Sequence, residues 1–251
     1  MRFVVLEPGR MVSTPPAGTC AIGIMAKVPQ RGRVKTRLVP PLSPDEACAL
    51  AGCFLRDVAA SIVAAGRAHP AIQGIAVYLP RGEEHALADV LPEGFWLLPQ
   101  RGADLGERLL HATGDLLAAG FGSACLVNSD SPTLPERLLL DAAHALERPG
   151  DRVVLGPAAD GGYYLVGLKR PHRRLFEDIV WSTPAVLAQT LERARELDLE
   201  VHLLPEWYDV DDGESLRVLC RELFGSRDGI DGRGASTRAL LDAILPRLDL
   251  R

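Results

Sequence analysis

The feature that most constrains this chain is an alternation of two patterns. Short apolar runs stop at a charge or a turn, and between most of them lies a longer stretch with helical spacing. Residues 20–26, 72–79, 95–98, 124–128, 153–156, 163–168 and 201–204 have the length and composition of buried strands. Residues 43–66, 104–119, 135–146, 183–197, 214–223 and 237–246 read as helices. Ser43 or Asp45 caps the first helix and places Ala47, Leu50, Ala51, Phe54, Leu55, Val58 and Ile62 on one face. Thr183-Pro184 reads as another start, because Thr caps and Pro is tolerated at the first helical position. Strands alternating with helices predict an α/β fold with a mostly parallel sheet covered on both faces. Ligands of such sheets bind beyond the carboxyl ends of the strands, so the residues just after each strand are those to read for function.

The 251 residues suit one α/β domain over 20–224, with 1–19 a loosely attached extension and 225–251 a linker and C-terminal helix packed on the domain. A formal charge of −5 excludes a chain that coats nucleic acid. The amino-terminal apolar run is broken by Glu7 and Pro8, and no stretch approaches the roughly 20 apolar residues of a membrane span. The expectation is a cytoplasmic protein with no membrane partner. The five cysteines form no Cys-x-x-Cys pair, and Cys48, Cys53 and Cys125 read as small core residues. The six histidines show no metal or triad spacing and receive no role.

Four after-strand segments carry chemistry. The first places Lys27, Arg31, Arg33, Lys35 and Arg37 within eleven residues, in a chain with only three lysines among 28 basic residues. Lysine is therefore not generic surface filler here. Cations so dense are either solvated or hold an anion. Gly32 lets the backbone fold and offer N–H groups, lysine meets phosphate as a point charge, and arginine forks onto two oxygens. The spacing is not that of a Walker A loop, since Arg33 and Val34 separate Gly32 from Lys35. The second segment, Asn128-Ser129-Asp130-Ser131-Pro132, ends a strand with a carboxylate placed to hold a hard cation or to cap the next helix. The third, Asp160-Gly161-Gly162-Tyr163, is either a tight hairpin turn or a stretch of backbone open to a substrate. The fourth, Asp209-Val210-Asp211, puts two carboxylates on one face of an extended segment. Asp104 opens a helix whose free N–H groups suit a phosphate or sugar oxygen, with an ordinary cap as the alternative.

Taken together, IMAKVPQRGRVKTRL, NSDSPTLP, GPAADGGYYLVGL, the Trp181-Ser182-Thr183 turn and DVDD resemble GT-A, nucleotide-diphospho-sugar transferase sequences over about residues 20–215. The similarity is to the radical-SAM/selenodomain-associated transferase type 1 family, the arsenosugar-biosynthesis glycosyltransferases. The 2-phospholactate guanylyltransferases share the Lys-Thr-Arg-Leu stretch and the late Asp-x-Asp. The resemblance implies nucleotide over the amino-terminal half of the sheet and Mg²⁺ or Mn²⁺ bridging its phosphates. It matches Lys35 and Arg37 to phosphate binding, and Asp130, Asp209 and Asp211 to the metal. Asp160, Gly161, Gly162 and Tyr163 match the acceptor segment. The sequence departs from the family pattern at Asn128-Ser129 and at Asp212.

The expected function is metal-dependent transfer from a nucleotide donor to a small-molecule acceptor. Lys27, Gly32, Arg33, Lys35, Arg37 and Asp104 would bind the nucleotide, and Asp130 and Lys35 would carry the catalysis. Glycosyl transfer from a nucleotide-sugar is the leading reading. The alternatives are nucleotidyl transfer from an NTP with pyrophosphate release, and a non-catalytic nucleotide-binding regulator.

Overall fold

Most strands form where apolar residues cluster: β1 (Val4–Val5), β2 (Cys20–Lys27), β3 (Ile72–Leu79), β4 (Trp96–Pro99), β5 (Ser123–Asn128), β6 (Arg152–Pro157), β7 (Tyr163–Leu168) and β8 (Glu200–Leu203). The structure, a computed structural model, describes residues 3–7, 14–225 and 232–247. One sheet takes all eight strands in the order β1-β4-β3-β2-β5-β7-β6-β8, and only β7 runs antiparallel to its neighbours. Strands β2 to β7 are buried on both faces, which is why they read as apolar runs. Strand β8, expected as a buried strand, is instead an edge with Leu203 exposed. In β2, Cys20, Ile22, Ile24 and Ala26 point to one core and Ala21 to the other.

The helices are α1 (Pro44–Ala68), α2 (Leu105–Ala118), α3 (Glu136–Glu147), α4 (Val186–Glu196), α5 (Gly213–Gly225) and α6 (Ala235–Ile244). Residues of α1 and α3 fill the core on one face of the sheet, and residues of α2 and α4 fill that on the other. A third cluster joins the start of α1 to α5 and α6. Ser43 is the cap of α1, in a reciprocal capping box with Glu46.

Four further expectations are corrected. The amino-terminal segment contributes β1, paired to β4, and Leu6 is buried with its N–H on the Leu97 carbonyl. Helix α1 is long and apolar enough by composition to cross a bilayer, although half of its most apolar window is buried in the fold. Helix α4 begins at Val186 rather than Thr183, because the Thr183 hydroxyl closes a turn onto the Val180 carbonyl and the Leu187 N–H is taken by the Gly161 carbonyl. Cys48 and Cys53 are only half-buried, whereas Cys20, Cys125 and Cys220 are buried, and all five are free thiols.

The C-terminal helix is tied down by a side chain from the middle of α1. Asp57 is 5% exposed, and its two oxygens accept from the Ser236 and Thr237 N–H groups at 2.9 and 2.8 Å. These donors open α6, where free N–H groups and the helix dipole favour an anion. Asp57→Ala strands them. It is expected to cost about 2–3 kcal/mol, seen as a lower urea midpoint with an unchanged slope.

Candidate active site

From β2 the chain runs outward through β3 and β4, then returns to place β5 on the other side of β2. Strand order therefore reverses between β2 and β5, and at such a switch point the connecting loops splay apart and leave a crevice. Here a cavity of about 210 Å³ opens between the loop after β2 and Ser129-Asp130 after β5, with Asp211 on its rim and Ala51 and Leu55 of α1 lining it. The structure thus brings together Lys27, Arg33, Lys35, Arg37, Asp130 and Asp211, which the sequence separates by up to 184 positions.

Within the basic loop each cation has a different fate. The Lys27 ammonium donates to the Arg33 carbonyl at 2.7 Å and folds the loop back on the strand end. Gly32 has φ 71°, with open space where a Cβ would sit, so backbone freedom rather than close approach is its contribution. Lys35 takes the same left-handed region (φ 48°, ψ 38°) and turns its side chain inward. Its ammonium, on a side chain only 7% exposed, lies 2.7 Å from Asp130 Oδ1 and 3.1 Å from Asp211 Oδ1. It also donates to the Val210 carbonyl at 2.6 Å and stands 5.3 Å from the centroid of the Phe54 ring. Arg37 donates to the other Asp211 oxygen at 2.7 Å, and Arg31 pairs with exposed Asp45. Among the described residues, Lys27 and Arg33 have no carboxylate partner.

Asp130 is fixed by its own strand end and by the late acidic loop. Asn128 Oδ1 accepts from the Asp130 N–H and the Ser131 hydroxyl, and the Asp130 carbonyl accepts from the Val210 N–H at 2.9 Å. The Ser131 hydroxyl donates to the Tyr208 carbonyl. Val210 is buried in the third core cluster between two carboxylates, as the period of an extended segment requires. Asp212 turns away and caps α5 through the Glu214 and Ser215 N–H groups. Asp209 is half-buried, and desolvation, then the charges of Asp160, Asp211 and Asp130, push its carboxyl up to about 6. The Lys35 ammonium and the Arg37 guanidinium leave this arc of four carboxylates under-neutralised.

Asp130, Asp209 and Asp211 do not bring their oxygens within 4.8 Å of one another as a trio. The donor set still fits a small hard cation, because Mg²⁺ takes one or two carboxylates and completes its shell with phosphate and water oxygens. Asp130 and Asp211, bridged by one ammonium at the cavity rim, supply such a pair.

The remaining expected residues do not line the cavity, although Asp160 stands near enough to Asp209 to act on it. Asp104 caps α2, accepting from the Glu107 N–H at 2.8 Å, and is not part of the cavity lining. Asp160 accepts from the Gly162 N–H in the β6–β7 hairpin turn. Gly161 has φ 88°, and a Cβ there would come within 2.3 Å of the Pro184 carbonyl, so the glycine seats the turn against the chain before α4. Tyr163 packs edge-on to Trp181, and its hydroxyl is buried without a hydrogen-bond partner. Ser129 and Thr36, in segments singled out by sequence but given no role of their own, also line the cavity, and the Val210 carbonyl was missed. A backbone carbonyl carries no signal in a sequence. Gln100 was missed too; its amide ties β2 to β3 by donating to the Ala26 and Val77 carbonyls.

Residues 62–183 match the DUF2064 family, described as an uncharacterized protein conserved in bacteria. No curated protein matches the chain in sequence. Among solved structures, the chain is 32% identical to a protein of Desulfovibrio desulfuricans G20 provisionally described as a nucleotide-diphospho-sugar transferase. That alignment covers 92% of this chain and 96% of the other, with a TM-score of 0.79. Two more distant structures share the fold. One is a CMP:2-keto-3-deoxy-manno-octonic acid synthetase complexed with CTP (13% identity, 80% and 96% coverage, TM-score 0.51). The other is a cytidylyltransferase of Leptospira borgpetersenii serovar Hardjo-bovis (13% identity, 91% and 94% coverage, TM-score 0.50).

The raised Asp209 pKa fixes the sign of a pH effect. A carboxyl that binds its proton more tightly when folded makes stability fall as pH rises from the unfolded value, near 3.8, through about 6. Metal-free Asp209→Asn should therefore be more stable than the parent at pH 7–8, by about 1 kcal/mol after allowance for solvent screening. The difference should vanish toward pH 4, as followed by thermal denaturation in chelator.

Proposed function

The chain belongs to the nucleotide-diphospho-sugar transferase family and is a transferase, and we propose that it moves a glycosyl group from a nucleotide-sugar to a small-molecule acceptor. Within that family, the motifs quoted above favour the radical-SAM/selenodomain-associated transferase type 1 group. The observation that carries the glycosyl reading is the charge balance of the loop. Of its five cations, Arg31, Lys35 and Arg37 are matched to carboxylates, and Lys27 and Arg33 remain for the donor. Two cations suit a diphosphate better than a triphosphate.

The roles follow from placement. Lys27 and Arg33 bind the donor phosphates at the mouth of the cavity, and Leu55 and Ala51 give it an apolar wall. Asp130 and Asp211 would hold Mg²⁺ or Mn²⁺, with Asp209 adding to the negative field. When bound, the ion supplies charge neutralisation for the departing diphosphate. Lys35 holds the two carboxylates at a fixed separation and offsets their mutual repulsion. The acceptor reaches the site past Asp160 and the β6–β7 turn. Little covalent help is required of the protein, because preorganised charge around the leaving group lowers the barrier.

Nucleotidyl transfer is the second reading, favoured by the length and density of the basic loop. The leaving group separates the two. Incubation with Mg²⁺ or Mn²⁺ and panels of nucleotide-sugars and NTPs should release a nucleoside diphosphate from one nucleotide-sugar, and stoichiometric pyrophosphate from an NTP would replace the glycosyl assignment. Arg33→Ala should raise the donor KM about tenfold, the loss of one charge-assisted contact, with Tm unchanged and a weaker salt dependence of binding. Asp130→Asn should lower kcat by about 100-fold or more, the scale of losing a preorganised charge.

A further inference from the structure

A second cluster of ligand-type side chains lies at the opposite end of the sheet. His69 follows α1, and its carbonyl accepts from the Ile72 N–H at the start of β3. His144 and Glu147 stand three residues apart on the last turn of α3, on one helix face. His69 Nε2 lies 2.5 Å from Glu147 Oε1, and the His69 and His144 rings are 5.0 Å apart, tilted by 49°. One ligand atom from each residue lies within 4.8 Å of the other two, and this is the trio of that kind found among the described residues. β2 and β3 are eight residues long, so at about 3.3 Å per residue the cluster is roughly 25 Å from the cavity. It takes no part in the site described above.

We propose that His69, His144 and Glu147 form a site for a zinc-class divalent ion that staples the end of α1 to the end of α3. Two imidazoles and one carboxylate are the donor set of a borderline ion such as Zn²⁺, in contrast to the all-oxygen set at the cavity. Tetrahedral zinc, with ligand bonds of about 2.0–2.2 Å, needs its donor atoms about 3.3 Å apart. The adjustment, a widening of the 2.5 Å His69–Glu147 pair and a closing of wider donor spacings, is within reach of side-chain rotation, because His144 and Glu147 are exposed and only His69 is half-buried. Three protein ligands leave the fourth position to water. The ion bonds through the His69 nitrogen that now faces Glu147, so binding displaces any proton held there. The bland alternative is a His69–Glu147 ion pair with His144 merely alongside.

Zinc titration separates the two. Untagged, chelator-treated protein is titrated with Zn²⁺ by calorimetry in excess Mg²⁺, which occupies oxygen-only sites. The expected result is one Zn²⁺ per chain, a Tm raised by several degrees, and the intense visible bands of a four-coordinate ion when Co²⁺ replaces Zn²⁺. His144→Ala removes a side chain with no hydrogen bond among the described residues and keeps the His69–Glu147 pair. It should leave the metal-free Tm unchanged and weaken zinc binding at least tenfold. Glu147→Gln gives the same affinity readout should His144→Ala fold poorly. No saturable zinc binding by the parent, or undiminished binding by both variants, overturns the proposal.

Discussion

Three loops that leave different strands meet at the Lys35 ammonium, and the form of the cavity depends on that meeting. The ammonium bonds at once to Asp130 after β5, and to Asp211 and the Val210 carbonyl after β8. Each contact answers a cost created by another. A buried ammonium needs anions, and two aspartates this close need a cation between them. The left-handed backbone at Lys35 costs a non-glycine residue about 1 kcal/mol or more, and it persists because several bonds determine it together. The Val210 N–H on the Asp130 carbonyl then locks the acidic loop to the strand end.

That arrangement explains what could and could not be read beforehand. The strands were legible because burial on both faces leaves an uninterrupted apolar run, and the after-strand rule then pointed to Lys27–Arg37, Asp130 and Asp209–Asp211. It did not say that Lys35 and Arg37 would be engaged by carboxylates, since Lys35 and Asp211 lie 176 residues apart. The resemblance matched Tyr163 to the acceptor segment, and its edge-on packing against Trp181 was not legible because Trp181 lies on a separate connection. Thr183-Pro184 carries the local marks of a helix start, and tertiary bonds to Val180 and Gly161 override them. His69 and His144 have no telling spacing, because it is the packing of α1 on α3 that joins them.

The unusual apolarity of α1 has a similar tertiary origin. Most core helices bury one stripe against a sheet. Here Leu55, Val58, Ala59 and Ile62 pack toward the sheet, while Ala47, Leu50 and Phe54 pack with α5 and α6. Asp57 on the same helix fastens α6 by its first N–H groups. Phe54, fully buried, also underlies the Lys35 ammonium. A helix with partners on two sides must be apolar on two sides, so its composition approaches that of a bilayer span.

The contact between Gly161 and Pro184 lies apart from the cavity lining and is built differently from it. The cavity, built on Lys35, Asp130 and Asp211, is cross-braced and has little room for change. The β6–β7 turn instead rests on the chain before α4, with no side chain of its own at the point of contact. Substitutions at Ser182 or Pro184 can therefore shift the turn that carries Asp160 while the braced cavity stays as it is.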